Sequence, residues 1–536
     1  LPMICLSVYF LCGVCALICA MCMSTAHTGK ILVVPVDGSH WINIKILMME
    51  LIQQGHELTV LAPSNTIYID QTSEDFHVEI IQMAEANVLT KEQFEEYILN
   101  WLFSNAFPKD PSIFSMAWYF INIVESATTT STAVLSALFE NKELMESLRK
   151  SSFDVVLADP YNVGGVLLSN YLKLPLVFFG RWMPSEDIHF AIAPSPLSYV
   201  PVINSRLTDK MTFPERMSNV LLYIMYLAAT RLYVYSIYDE FSKRYLDTDV
   251  SVFEMYQRAD IYLMKVDYVF EFPRPTVPNA VYIGGFQCRT SKPLPQELQE
   301  FMDNSKEGVV VFSLGTIVKT LPLHLAREIA AGLAQLPERV IWRYTGEMPN
   351  TLGNNTKTMS WLPQNDLLGH PNTKAFLSHG GENGVYEAIY NAVPIVGIPL
   401  FGDQYENILR LKTKGAAVLL DNLMDVTSRD IVQAVRLVID DPSYRKSMKH
   451  LSELHRDSLV SPRDAAVFWT EFVMRHGGAG HLRVTGNDLP WYQYYLLDVI
   501  STLVLSILFC LYVSWRALRA VVRTCCPTKK MKKKPE

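Results

Sequence analysis

Two doubly wound α/β lobes followed by one membrane-spanning helix form the architecture that this sequence predicts, and three observations predict it. Short apolar runs of buried-strand type alternate with helical stretches through both halves of the chain. Between the halves, Gln287 to Glu307 breaks the alternation, with Lys292-Pro293-Leu294-Pro295 at its centre, and the pattern then starts afresh. Near the C-terminal end, Leu496 to Val513 is apolar for about one bilayer thickness, with Asp498 near its start as the only charge.

The first half opens on the strand Ile31 to Pro35, which ends in Asp37-Gly38-Ser39-His40. Trp41 to Gln54 follows with helical spacing: Ile44, Leu47, Met48 and Leu51 share a face, and Gly55 closes it. Glu57 to Leu61 is the second strand. No G-x-G-x-x-G accompanies this βαβ opening, so a nicotinamide-type fingerprint is excluded. Tyr68 to Arg149 reads as mainly helical. Asp154 to Asp159 and Leu174 to Phe179 are further strands, with Gly164-Gly165 opening a helix between them. Residues 181–217 hold five prolines and little periodicity, the pattern of a long binding loop. Met217 to Tyr238 is an apolar helix, and Ala259 to Met264 and Val281 to Ile283 are closing strands.

The second half begins with Gly308 to Thr316, a strand running into a turn suited to phosphate, then a helix to Leu336 and the strand Val340 to Arg343. The stretch Trp361 to Gln404 carries the densest chemistry of the chain, in 44 residues. Lys374 to Ser378 is a buried strand, His379-Gly380-Gly381 a turn, and Asn383 to Asn391 a helix with Val385, Ile389 and Ala392 on one face. Glycines between a strand and a helix let main-chain amides approach an anion, and the helix N-terminus adds its positive dipole end. Pro394 to Pro399 is a second strand that delivers Asp403-Gln404, side chains suited to sugar hydroxyls. Trp361 offers a flat face for a base and Gln364 an amide. Asp430 to Ile439 and Tyr444 to Arg456 are later helices.

The net charge of −7 conceals an asymmetry: residues 516–536 carry eight Lys/Arg against one Glu, so the rest of the chain carries −14. An acidic body without a basic face argues against nucleic acid as a partner. Residues 3–22 are apolar and cysteine-rich, with Ser24-Thr25-Ala26 as a cleavage region, which reads as a secretory signal peptide. Five of the nine cysteines lie in that segment and three at or beyond Cys510, leaving Cys288 alone in the body, so no intrachain disulfide is expected there. Trp491, Tyr492, Tyr494 and Tyr495 form an aromatic belt before the apolar run, and Arg516, Arg519 and Arg523 follow it. Positive residues stay cytosolic, which places the body in the lumen and the tail in the cytosol. Asn354-Asn355-Thr356 is an N-glycosylation sequon in that lumenal body.

The ordered set from Trp361 to Gln404 resembles the donor signature of the UDP-glycosyltransferases, and the vertebrate UDP-glucuronosyltransferase branch in particular, over nearly the whole chain. That resemblance implies a GT-B fold, with residues 1–25 as signal peptide and 26–286 as an acceptor-binding Rossmann-like domain. A linker at 287–307, a UDP-sugar-binding Rossmann-like domain at 308–456 and helices at 457–490 that return to the first lobe follow. The membrane helix spans 491–515 and a basic cytosolic tail 516–536, whose Lys533-Lys534-Pro535-Glu536 resembles a dilysine endoplasmic reticulum retrieval signal.

The resemblance also implies the activity: transfer of glucuronic acid from UDP-glucuronate to a hydroxyl of a small lipophilic acceptor, with inversion and without a bound cofactor or metal. UDP-glucose, or another neutral UDP-hexose, is the alternative donor. A membrane-bound, non-catalytic lipophile-binding or partner subunit is a reading of a different class, which the presence of His40, Asp159 and Asp403-Gln404 disfavours. Partners are then the acceptor, the UDP-sugar and the membrane, with homo- or hetero-oligomers left open.

Glycosyl transfer to a hydroxyl needs a base to take the acceptor proton. His40, at a strand-to-helix turn where the helix dipole disfavours imidazolium, suits that role, and the strand-end Asp159 suits the other ring nitrogen. The pair matches the family's catalytic His and Asp. By the same carry-over Trp361 stacks on uracil, Gln364 binds base or ribose, and Glu387 holds ribose hydroxyls. Ser313, Thr316, His379, Gly381 and Asn383 meet the diphosphate, and Asp403 and Gln404 the transferred sugar. Lys265 stands where relatives commonly have Arg at the sugar carboxylate; it keeps the charge and loses the bidentate fork.

Overall fold

A computed structural model describes residues 28–84, 91–103, 113–184, 186–421 and 423–525. The signal segment and the dilysine end lie outside the described residues. The chain divides into two units, one reaching Arg483 and the other starting at Val484.

The first unit contains two all-parallel sheets. One has seven strands, β1 (Lys30–Val34), β2 (Glu57–Pro63), β3 (His77–Ile81), β4 (Val155–Ala158), β5 (Leu176–Phe179), β6 (Ile261–Met264) and β7 (Ala280–Tyr282), in the order β3-β2-β1-β4-β5-β6-β7. The other has six, β8 (Val309–Ser313), β9 (Arg339–Arg343), β10 (Thr356–Met359), β11 (Thr373–Ser378), β12 (Ile395–Gly397) and β13 (Ala417–Leu419), in the order β10-β9-β8-β11-β12-β13. The central strands are buried on both faces, which is why they read as unbroken apolar runs rather than alternations.

Each strand order reverses once, between β1 and β4 in the first sheet and between β8 and β11 in the second. At such a switch point the chain leaves two neighbouring strands in opposite directions and opens a crevice at their carboxyl ends. Val34 is paired in register with Ala158, so the residues that follow them, ending at His40 and Asp159, emerge side by side. Ser313 is paired with Ser378 in the same way, which brings the turn after β8 against His379.

Helices cover both faces. Ser39–Gln53 buries Trp41, Ile44, Leu47, Met48 and Leu51 on the first sheet, sharing a core with Ala466, Val473 and Met474 of the helix Pro462–His476. The last main helix of this unit therefore packs on the first lobe. In the other direction Leu102, from the helix Lys91–Phe103, joins the core of the second lobe, and Trp101 meets Phe401 edge to face.

Several elements differ from the sequence reading. Strand β3 lies inside the stretch read as mainly helical, and β10 and β13 were not read as strands at all; all three are short edge strands with incomplete burial. The apolar helix runs Phe213–Ala229, passes through a wider π turn at Thr230–Val234 and continues as Tyr235–Leu246. Within Gln287 to Glu307, Gln296–Asp303 is a helix whose Leu298 and Met302 enter the second lobe's core.

In the second unit the aromatic residues form a short helix, Trp491–Tyr494, and the apolar run is part of a longer one, Leu497–Cys525. This helix and Phe213–Leu246 are the two described helices long and apolar enough to cross a membrane; Leu497–Cys525 buries none of its residues.

Candidate active site

The floor of the first crevice is built by Asp37 and Gly38. Asp37 accepts from the backbone amides of Ile67 and Tyr68, at 2.6 and 3.1 Å, and from Thr66 Oγ1, tying the β2–β3 loop to the end of β1. Gly38 then turns the chain with φ of 80°, a left-handed conformation natural to glycine, into the helix that starts at Ser39. His40 is the second residue of that helix. Its Nδ1 lies 2.6 Å from Asp159 Oδ2, and Asp159 Oδ1 accepts from the Tyr161 amide at 2.9 Å. Asp159 is buried, whereas the His40 side chain keeps 37 % exposure, so Nε2 is the nitrogen left for a ligand.

Burial pulls the His40 pKa down, but the Asp159 carboxylate, by charge and hydrogen bond, more than reverses this, and the net shift is upward from 6.5. The upward shift is opposite in sign to the one a helix N-terminus alone would impose, because the carboxylate stands at 2.6 Å from the ring nitrogen. Asp159 both orients the ring and makes it a stronger base.

The second crevice has a main-chain floor. Ser313 Oγ accepts from the Gly315 amide at 3.2 Å, and Ser378 Oγ from the Gly380 amide at 3.1 Å. A Cβ on Gly315 would lie 2.6 Å from the His379 ring, and one on Gly381 2.5 Å from it, so the imidazole is clasped between two glycines. Burial, with Arg343 nearby, depresses His379 to about 4, which keeps it neutral. Its Nδ1 is buried without a hydrogen-bond partner among the described residues. The helix Glu382–Tyr390 starts beside it, N-capped by Gly381 with no side-chain cap, so its first amides remain available to an anion.

Trp361 is 62 % exposed, and the Arg343 guanidinium lies 5.2 Å from its ring centre. Arg343 also donates to the carbonyls of Gly315 and Thr316, so one side chain supports both the indole and the turn after β8. Gln364 donates from Nε2 to Glu387 Oε2 at 2.6 Å. Burial raises the Glu387 carboxyl to about 7, with Gln364 and Arg289 opposing.

Asp403 and Gln404 are the N-cap and first residue of the helix Gln404–Thr413. Gln404 Oε1 accepts from the amides of Leu400 and Phe401 at 2.8 and 3.1 Å; its amide group donates to nothing among the described residues. Asp403 Oδ2 accepts from Asn407 Nδ2 at 2.9 Å. Asn354 is exposed in the turn before β10, and Cys288 is a free, half-buried thiol.

The two crevices face each other across polar ties. Asn43 Nδ2, one turn beyond His40, donates to Asn383 Oδ1 at 3.1 Å, and Gln287 Nε2 to the Asn383 carbonyl at 3.3 Å. Lys265, just past β6, is ion-paired with Glu382 at 3.1 Å. Deeper in, Arg181 of the first lobe and Arg410 of the second both bind buried Glu271. Arg343, Asn43, Glu382 and the Glu271 cluster were not read from sequence. Only Glu382 left a local signal there, as an acid at a helix start; the others gain meaning from long-range contacts.

Two facing doubly wound sheets, with a His–Asp pair on one and a main-chain anion cradle on the other, define a glycosyltransferase of the GT-B class. Residues 29–534 match the UDPGT family, described as UDP-glucoronosyl and UDP-glucosyl transferase, and the chain belongs to it. It is 44 % identical to UDP-glucuronosyltransferase 2A2 of Mus musculus over 89 % of this chain and 90 % of that one. Identity to UDP-glucuronosyltransferase 2B13 of Oryctolagus cuniculus is 41 %, with both chains covered in full. Among solved structures, the calicheamicin glycosyltransferase CalG4 superposes with a TM-score of 0.57 at 18 % identity, covering 84 % of this chain and 99 % of that one. UGT2 of Phytolacca americana, solved with UDP-2-fluoroglucose and pterostilbene, gives 0.55 at 16 % identity, with 84 % and 99 % covered.

Proposed function

We propose that this protein transfers glucuronic acid from UDP-glucuronate to hydroxyl groups of small lipophilic acceptors, with His40 as base and Asp159 as its partner. The observation that carries the reading is the His40–Asp159 pair held against the start of the helix Glu382–Tyr390 by the Asn43–Asn383 bond. Uracil stacks on the open face of Trp361, the ribose hydroxyls donate to Glu387, and the diphosphate lies on the amides after Gly381 with Ser313, Thr316, His379 and Asn383 around it. Asp403 and Gln404 take the sugar hydroxyls.

In the reaction His40 Nε2 takes the acceptor proton as the acceptor oxygen bonds to the anomeric carbon. The bond from that carbon to the diphosphate oxygen breaks, and UDP leaves with the electron pair on the opposite face. One displacement inverts the anomeric centre. Asp159 stabilises the imidazolium formed. The chain's own residues supply each of these roles, and no resident cofactor is invoked.

The large unit works in the endoplasmic reticulum lumen, with Leu497–Cys525 as the single membrane anchor and Asn354 as a glycan acceptor. Protease added to sealed vesicles should then remove only the segment after about Trp515; digestion of the large unit would overturn this placement. UDP-glucose as donor is the second reading, favoured by the engagement of Lys265 with Glu382. Microsomal turnover of a phenol panel with labelled UDP-glucuronate and UDP-glucose tests both. Transfer from neither donor would refute the proposed activity.

A further inference from the structure

Lys265 and Glu382 act on the charge of His40 in opposite senses. The ion pair stands close to the dyad, since Asn383, the residue after Glu382, is bonded to Asn43 one turn beyond His40, and the sugar ring has to lie between His40 and the diphosphate cradle. Both side chains are largely buried, 13 and 14 % exposed, so the pair is not a solvated surface contact of small consequence. Neither partner is free to drift. The backbone just past Lys265 is fixed by Asp267, whose amide accepts no slack: it donates to Tyr386 Oη at 2.8 Å, while its carboxylate meets His455 Nδ1 at 2.6 Å. Glu382 is the first residue of its helix, held at Asn383 by Asn43 and Gln287. Its negative charge suits the helix N-terminus but would repel a diphosphate bound there, and Lys265 offsets that charge.

We propose that Glu382 is a specificity-determining residue, which competes with a donor sugar's carboxylate for the single ammonium of Lys265. This rests on the UDP-sugar reading and adds a rule to it. A neutral hexose leaves the pair intact. A glucuronate has to draw Lys265 away from Glu382, or share it, and so binds with part of its charge recognition already spent on the protein's own acid.

The test uses the full-length chain and two probes, UDP-glucuronate and UDP-glucose, with binding and kcat/KM measured for each. Because the probes share UDP, their ratio cancels any general effect of Glu382 on the diphosphate. Glu382→Gln keeps the shape and removes the charge; it should raise the glucuronate-to-glucose ratio by about tenfold or more, the value of one freed charge-assisted hydrogen bond. Lys265→Met should lower the ratio, and the double variant should show no gain over Lys265→Met. An unchanged ratio in Glu382→Gln overturns the proposal, as does an equal gain with both donors. A gain that persists in the double variant overturns it too, by placing carboxylate recognition elsewhere. Wild-type protein that binds neither probe would instead refute the UDP-sugar reading itself.

Discussion

His40 and Asp159, 119 residues apart in sequence, meet at 2.6 Å because β1 and β4 are adjacent at the reversal of strand order. The contact commits Nδ1 to the carboxylate, and the proposed mechanism uses the remaining Nε2 for the acceptor. His40→Ala should then lower transfer to alcohols and phenols by at least 10²–10⁴-fold, the usual worth of a positioned base. UDP binding should survive, since the contacts proposed for it lie beyond residue 307. Carboxylic acid acceptors, already anionic, should lose less. Alcohol transfer at the wild-type level would remove His40 from the mechanism.

Asp159→Asn tests the charge separately from the shape. Its kcat should fall on the order of 10⁴-fold if the Asp–His logic of hydrolytic triads carries over. In wild type the base is active only above a raised pKa, so the acid limb of kcat/KM should lie above the ordinary histidine value, and in the variant it should move to lower pH. Stability follows the same sign. A raised native pKa contributes fully below the unfolded value and is lost as pH rises through the native one. The gap in Tm between wild type and variant should therefore be wider near pH 6 than near pH 9.

Glu387 predicts an opposite dependence, for binding. Its carboxyl is held up to about 7 by burial, and only its ionised form accepts from two ribose hydroxyls. UDP affinity should increase as pH rises through that value. Glu387→Gln should weaken binding and flatten the profile, which titration calorimetry across pH would read directly; a slope kept by the variant would assign the proton to another group.

Trp361 separates binding from stability. At 62 % exposure it contributes little to the core, yet one face is backed by Arg343 and the other is open. Trp361→Ala should cost about 1–3 kcal/mol in UDP affinity, the range for base–aromatic stacking, with Tm nearly unchanged. Trp361→Phe should restore part of the loss.

Glu271 is the counterweight of two arginines from different lobes. Glu271→Gln leaves Arg181 and Arg410 with less compensation in a buried place, and should destabilise by about 3–5 kcal/mol. Calorimetric unfolding would show it. A shift confined to one of two separated transitions, with the other unmoved, would argue against the cluster as an inter-lobe tie.

Much of this architecture was legible in the sequence, and the physical reason differs from element to element. Central parallel strands such as Val155–Ala158 and Val309–Ser313 announce themselves because burial on both faces leaves no polar position. The glycines around His379 were readable as a turn, though not that they clasp its ring. Edge strands β3, β10 and β13 escaped because half-burial mixes polar and apolar residues over only three to five positions. Lys265 was singled out by resemblance alone; its pairing with Glu382 was not legible, because 117 positions separate them and nothing local encodes the contact.

The helix Pro462–His476 belongs to the late part of the chain and closes the core of the early part. During synthesis the first sheet has all its strands once Tyr282 has emerged, but Ala466, Val473 and Met474 follow only after about 200 further residues, roughly 10–40 s at typical elongation rates. Throughout that interval the apolar flank that these residues cover in the folded protein lacks its cover. A transcript cut short after Arg456 would encode both sheets and still yield a protein with its oldest surface unfinished.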